Sequence, residues 1–435
     1  MKIPIPFRYQ LAIILLLLTQ STEAQFLMDM TDTTMQVPEG QIAKYKRYDH
    51  ARISGYIQPQ FQVAESKGVE SFNGGDFGER QSNRFILRRG RLRFDYARFT
   101  KNNKPSLQFV FQFDGTEKGV FIRDFWGRFY ENKWELFSLS TGMFARPFGY
   151  EVNLGSPDRE SPERGRMSQL LMRVERDLGV MASFEPRKKD HPLRVLKFDI
   201  GIFNGQGLTA PGEYDDHKDI IGRLGLKPWT IAKNVDLSAG LSFLQGGFEQ
   251  NNKYVYRMNS IGGKPIFEVD STVSNIGSIA ARQYRGADVQ LKIKHGWGNT
   301  ELRGEYWWGT QTATAGSSET PDQLLDEPYY ERKFNGAFFY FLQNIFNKQH
   351  QLGIKYDWYD PNTDVEGDEI GMPGSMVGKA DIKYNTLGVG YNYYINDNLR
   401  LLLWYEWITN ENTSLDGFTD DVKDNIFTCR LQFRF

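Results

Sequence analysis

From Asn425 to Phe435 the chain alternates apolar and polar side chains: Phe427, Cys429, Leu431, Phe433 and Phe435 against Thr428, Arg430, Gln432 and Arg434. Successive side chains of a strand point to opposite faces, so this run offers one face to hydrocarbon and the other to water. The pattern recurs. In Gly286–His295, Ala287, Val289, Leu291 and Ile293 oppose Asp288, Gln290, Lys292 and Lys294. In Thr300–Trp308, Leu302, Tyr306 and Trp308 oppose Glu301, Arg303 and Glu305. A soluble sandwich with one wet face also alternates. Here the segments are long, and Tyr and Trp stand near strand ends on the apolar face, as in the interfacial girdles of a membrane barrel.

Sixteen such segments can be traced, near 52–63, 85–99, 106–114, 120–131, 134–146, 177–186, 193–204, 218–228, 235–246, 284–295, 299–309, 333–344, 349–359, 381–395, 399–410 and 424–435. Short connections rich in turn formers, such as Thr100–Lys104, Asn132–Lys133 and Asn396–Asn398, fall at every second junction. Between them lie long ones at 64–83, 147–176, 205–217, 247–283, 310–332, 360–380 and 411–423; only Gly115–Gly119 is brief. An even strand count with short turns at one end and long loops at the other predicts an all-β fold, a sixteen-stranded antiparallel outer-membrane barrel over 51–435.

The amino terminus fits that destination. Lys2 and Arg8 precede an apolar run, Leu11–Leu18, and Thr22–Ala24 forms a small-residue cleavage site. The run is less than half the roughly 20 residues that cross a bilayer as a helix. A cleaved signal peptide over 1–24 and a periplasmic extension over 25–50 are therefore expected. With 53 basic and 54 acidic residues, the chain gives no overall argument for binding nucleic acid. Aromatics reach 14% while mean hydropathy is negative. Strands hide their apolar half in alternation, so this combination suits a barrel better than a helical membrane protein. The single Cys429 falls on the apolar face as a small hydrophobe, and no internal disulfide is possible.

Phe85–Phe94 (FILRRGRLRF), Gly142–Gly149 (GMFARPFG), Glu163–Arg164, Arg176–Val180, Phe203–Gly205, Tyr356–Asn362 (YDWYDPN) and the closing Arg430–Phe433 together resemble the phosphate-selective porin O and P family from about Arg52 onward. The resemblance implies a sixteen-stranded porin, a homotrimer, a third long loop folded into the pore, and basic residues that draw anions through.

Rings of Arg or Lys are a common device in anion pores, and low-dielectric walls focus their field. Strand parity sends Arg89, Arg91 and Arg93 to the lumen as a ladder, together with Arg223, Lys227, Lys292, Lys294, Arg303, Lys355, Arg430 and Arg434. Asp95, Asp114, Asp288, Glu301, Glu305 and Asp357 share those faces, so the basic excess is modest. The expected constriction loop, about 147–176, carries Arg159, Arg164, Arg166 and Arg173 against Glu151, Asp158, Glu160, Glu163 and Glu175, with Arg176 and Asp177 at its end. Either these charges face one another across an eyelet, or they pair and hold the loop to the wall.

The other motifs point elsewhere only weakly. Asp360–Gly367 spaces oxygen ligands like a calcium loop, but Val365 replaces the required glycine and the twelfth-position glutamate is missing. The five histidines are scattered, and no nucleophile elbow is present. The reading is a passive channel for small anionic or polar solutes, without enzymatic activity, cofactor or metal. Its partners would be outer-membrane lipid, further copies of the chain, and the barrel-assembly machinery through the closing strand and Phe435. A non-conducting receptor, adhesin or secretion component acting through the long external loops is the alternative.

Overall fold

The computed structural model describes residues 51–208 and 212–435, so the expected signal peptide and the 25–50 extension lie outside the described residues. Its strands are β1 (Ala51–Ala64), β2 (Asn83–Phe99), β3 (Pro105–Thr116), β4 (Gly119–Tyr130), β5 (Phe137–Ala145), β6 (Arg176–Phe184), β7 (Leu196–Phe203), β8 (Asp219–Ala232), β9 (Val235–Glu249), β10 (Val255–Ile261), β11 (Lys264–Asp270), β12 (Ile279–His295), β13 (Gly298–Ala313), β14 (Tyr329–Asn344), β15 (His350–Asp360), β16 (Tyr384–Asn396), β17 (Leu399–Asn410) and β18 (Ile426–Arg434). Neighbours pair antiparallel around the wall, β9 joins β12, and β1 closes on β18, giving a sixteen-stranded barrel. At the seam Gly55 and Phe435 exchange two backbone hydrogen bonds of 2.9 and 3.0 Å.

Each of the sixteen expected segments corresponds to one barrel strand. The remaining two strands form a hairpin within 247–283, read from sequence as loop alone. That hairpin runs beside the barrel mouth, where Val255–Arg257 pair in parallel with Tyr329–Glu331 of β14. The connection between β5 and β6 comprises residues 146–175. Arg176, assigned to the loop from sequence, and Asp177, read both as the loop's end and as the head of a strand, open β6, because backbone pairing extends to Ala145–Arg176 and Phe144–Asp177.

Alternation sets the faces. Leu92, Phe109, Leu139, Val180, Leu241, Leu302, Phe341 and Leu387 are exposed outward, while the buried polar side chains of the same strands point inward. An apolar outward row over a polar inward one is the arrangement of a transmembrane barrel wall.

The interior is not polar throughout, as alternation alone implied. Phe144, Phe203, Ile221, Leu244, Tyr284, Phe334 and Tyr359, all toward the long-loop ends of their strands, form a buried apolar layer. Into it the 146–175 loop packs Phe148 and Val152, and its short helix α1 (Arg166–Leu171) adds Met167, Leu170 and Leu171. A second loop, 65–82, also turns inward: Asn73 is buried, its carbonyl accepts from Gln62 Nε2, and its amide donates to Glu406.

Candidate functional site: the loop-lined lumen

The constriction loop enters the barrel and touches opposite walls. On one side Gly149 brings its backbone against β13. Glu305 accepts from the amides of Tyr150 at 2.7 Å and Glu151 at 2.9 Å, and from Trp307 Nε1 at 2.7 Å. Gly149 has φ +68°, and a Cβ there would lie 2.5 Å from Glu305 Oε1, so only glycine fits this approach. Farther along, Glu151 accepts from Gly165 N and Ser168 Oγ and meets Lys355 at 3.2 Å. Glu160 receives both Arg303 nitrogens, at 2.7 and 2.9 Å.

On the other side the loop meets arginines. Glu163 takes Arg88 at 2.8 Å, Arg89 at 2.6 Å and Arg430 at 3.0 Å, with Arg159 at 3.9 Å. Burial alone would raise the Glu163 pKa; the guanidiniums of Arg88, Arg89 and Arg430 outweigh it and hold the carboxyl well below its ordinary range. Asp114 pairs with Arg91 at 2.9 Å and Arg123 at 3.9 Å. Glu175 takes Arg123, Arg164 at 3.8 Å and Arg176 at 2.9 Å, and Arg176 also reaches Asp124 at 3.2 Å. This network sets eight guanidiniums against four carboxylates.

The opposite wall, β7–β9 and β12–β15, is balanced toward acid. Arg223 meets Asp288, Lys227 and Lys197 share Glu185, Lys197 also meets Asp199, and Lys292 and Arg303 share Glu301. Lys355 lies between Glu151 and Asp357, and Lys294 meets Asp236. With Glu160 and Glu305, nine carboxylates stand against seven cations.

Not every basic side chain in the sequence-derived set lies at the centre of the lumen. Arg93 pairs with Asp95 on its own strand at 2.8 Å. Lys294 and Arg434 are half-exposed near the short-turn rim, the latter on Asp158 at 2.8 Å. Two loop residues pair outside the Glu163 network. Arg173 pairs with Glu319 and Asp322 of the 314–328 loop, and Arg166 stacks between Phe72 at 4.6 Å and Tyr384 at 3.6 Å. The acidic run after β15 uses its oxygens internally: Asp360 accepts from Asn362 N, and Asp364 meets Lys333.

Two lumen arginines, Arg88 and Arg123, escaped the parity argument because each stands immediately before a break in alternation. Outward apolar residues occupy odd positions at Phe85 and Leu87 but even ones at Leu92, Phe94 and Tyr96. Likewise Ile122 faces out with Phe113, and beyond Arg123 the outward row is Phe125 and Phe129. That phase slip was visible in the sequence.

The comparisons with known proteins agree with the barrel fold. Residues 349–435 match the sequence profile described as phosphate-selective porin O and P. Among solved structures, OprB of Pseudomonas putida superposes with a TM-score of 0.55 at 9% identity, covering 91% of this chain and 97% of that one. The outer-membrane channel DcaP of Acinetobacter baumannii gives 0.54 at 10% identity, with 88% and 97% covered. No curated protein matches the sequence. The chain thus carries the phosphate-selective porin O and P pattern over residues 349–435, on a closed barrel with the fold of outer-membrane porins.

Proposed function

We propose that the protein is an outer-membrane channel for passive diffusion of small hydrophilic solutes, with a preference for anions. The observation that carries the preference is the network of eight guanidiniums against four carboxylates beside the constriction loop. A guanidinium has five N–H groups and one carboxylate uses two, so the partly exposed Arg88 and Arg176 keep donors to spare, whereas Arg430 spends its remaining donors on Gln60 and Pro162. An oxyanion passing along this wall meets net positive charge in a low-dielectric setting, where fixed charges act strongly. Phosphate is one such anion and fits bidentate guanidinium geometry. The acid-leaning wall opposite adds a transverse field that would orient dipolar solutes. Association into a homotrimer in outer-membrane lipid, and assembly guided by the closing strand with Phe435, belong to the same reading.

The test is the reversal potential of the purified protein in a planar bilayer under a potassium chloride gradient. A sign set by chloride supports the proposal; a cation-selective or unselective pore refutes the preference. A second reading has one observation behind it: the buried apolar layer that seats the loop narrows the long-loop half of the lumen. A barrel that never conducts in the same bilayer would favour that reading, a closed scaffold acting through its external loops.

A further inference from the structure

Two of the bulges in the arginine-rich wall leave an arginine as the extra residue. In β2, Gln58 of β1 pairs with Arg89 and Pro59 with Leu87, which leaves Arg88 unpaired. In β4, Gln112 of β3 pairs with Asp124 and Phe113 with Ile122, which leaves Arg123 unpaired. A bulge lets two residues oppose one and re-aims a side chain. The result is two consecutive inward pairs, Arg88–Arg89 and Arg123–Asp124. Extended back without a bulge, the phase set by Leu92 and Phe94 in β2, and by Phe125 and Phe129 in β4, would put Arg88 and Arg123 on the outer face, where a guanidinium costs about 2–4 kcal/mol at the midplane of a bilayer.

Both re-aimed side chains grip the constriction loop, on different limbs. Arg88 is bidentate on Glu163, with Nε–Oε1 2.8 Å and Nη2–Oε2 3.2 Å. Arg123 holds Glu175, the last loop residue before β6. We propose that the two bulges are positioning devices: Arg88 and Arg123 fix how far the loop stands from the β2–β4 wall, and so the width of the eyelet, apart from the charge they contribute. This rests on the channel reading above.

Charge and position separate by comparing partners. Arg88→Gln, Arg123→Gln, Glu163→Gln and Glu175→Gln would be read by reversal potential and by the rate at which liposomes swell in a neutral sugar, after heat-dependent gel migration has shown a folded barrel. If the arginines position the loop, removing either member of a pair frees the same limb. Arginine and glutamate variants then change the sugar rate in the same direction, by about twofold or more. Arg88→Lys and Arg123→Lys keep the charge but lose the fork, and would give part of that change; they also stand in for any glutamine variant that fails to fold. If the arginines act as pore charges alone, the sugar rate stays at the parent value and the two kinds of variant move the reversal potential in opposite directions. That result overturns the proposal. A parent that passes neither ions nor sugar would instead sink the channel reading, and this inference with it.

Discussion

Strands β2–β4 and β18 meet the constriction loop with guanidiniums, whereas β7–β9 and β12–β15 meet it with aromatic and aliphatic side chains above an acid-leaning set of ion pairs. The second wall adds an apolar seat to its own ion pairs, Arg303 with Glu160 and Lys355 with Glu151, so the two walls hold one loop by different mixtures of forces. Ion pairs are directional, and those reached by water weaken with salt. The apolar seat is non-directional and indifferent to ionic strength, because its strength scales with the area removed from water. A loop anchored by the seat and steered by the arginines can be fixed in place while its charged edge still faces solute. The same division explains why charge pairing in this lumen does not imply neutrality. Around Glu163 one carboxylate serves four guanidiniums, while across the lumen Arg223 and Asp288 match one to one.

The largest effect is expected from erasing the difference between the walls. Changing Arg89, Arg91 and Arg93 together to Glu turns the cationic wall acidic and should lower the anion-to-cation permeability ratio by about tenfold or more, read from reversal potentials. An unchanged ratio would mean that solute does not pass this wall. Phe148→Ala attacks the other wall. It empties space against Tyr284 and Trp307, whose rings lie 6.2 and 4.7 Å away, and should cost about 3–5 kcal/mol where the site cannot collapse. Single-channel records should then show frequent closures while the permeability ratio barely moves; a quiet channel would show that the seat does not anchor the loop. The smallest effect concerns pH. Because the Glu163 pKa is depressed in the folded protein, its contribution is present above the unfolded value and is lost only as pH falls through a folded value well below the usual carboxylate range. Conductance should therefore stay flat from about pH 8 to about pH 5 as far as this clamp is concerned. A step within that window that disappears in Glu163→Gln would contradict the assignment.

Much of this was legible beforehand because a barrel strand must alternate. Arg89, Arg91, Arg303, Lys355 and Arg430 could be assigned a face from parity, since one face must satisfy hydrocarbon. Arg88 and Arg123 could not, because a bulge resets the phase. The mismatch between Phe85 and Leu87 on one side and Leu92 and Phe94 on the other was the available signal. Arg166 and Arg173 carry nothing in sequence that distinguishes them from Arg164. Their partners, Phe72 with Tyr384 and Glu319 with Asp322, are distant in the chain and become neighbours only on folding. The apolar layer was equally hidden. Phe144, Tyr284 and Phe334 sit at inward positions of alternating strands, where a single aromatic is unremarkable until the loop brings Phe148 and Met167 against them.

The sequence by itself determined the closed, sixteen-stranded wall and which side of it is apolar, because both follow from a two-residue period repeated between turn-forming segments. The tertiary structure decided which inward charges are spent on one another, which loops fill the bore, and where the cationic excess remains. Those outcomes depend on pairings between residues such as Arg430 and Glu163, far apart in the chain, and no local pattern encodes which carboxylate a folded loop delivers to which arginine.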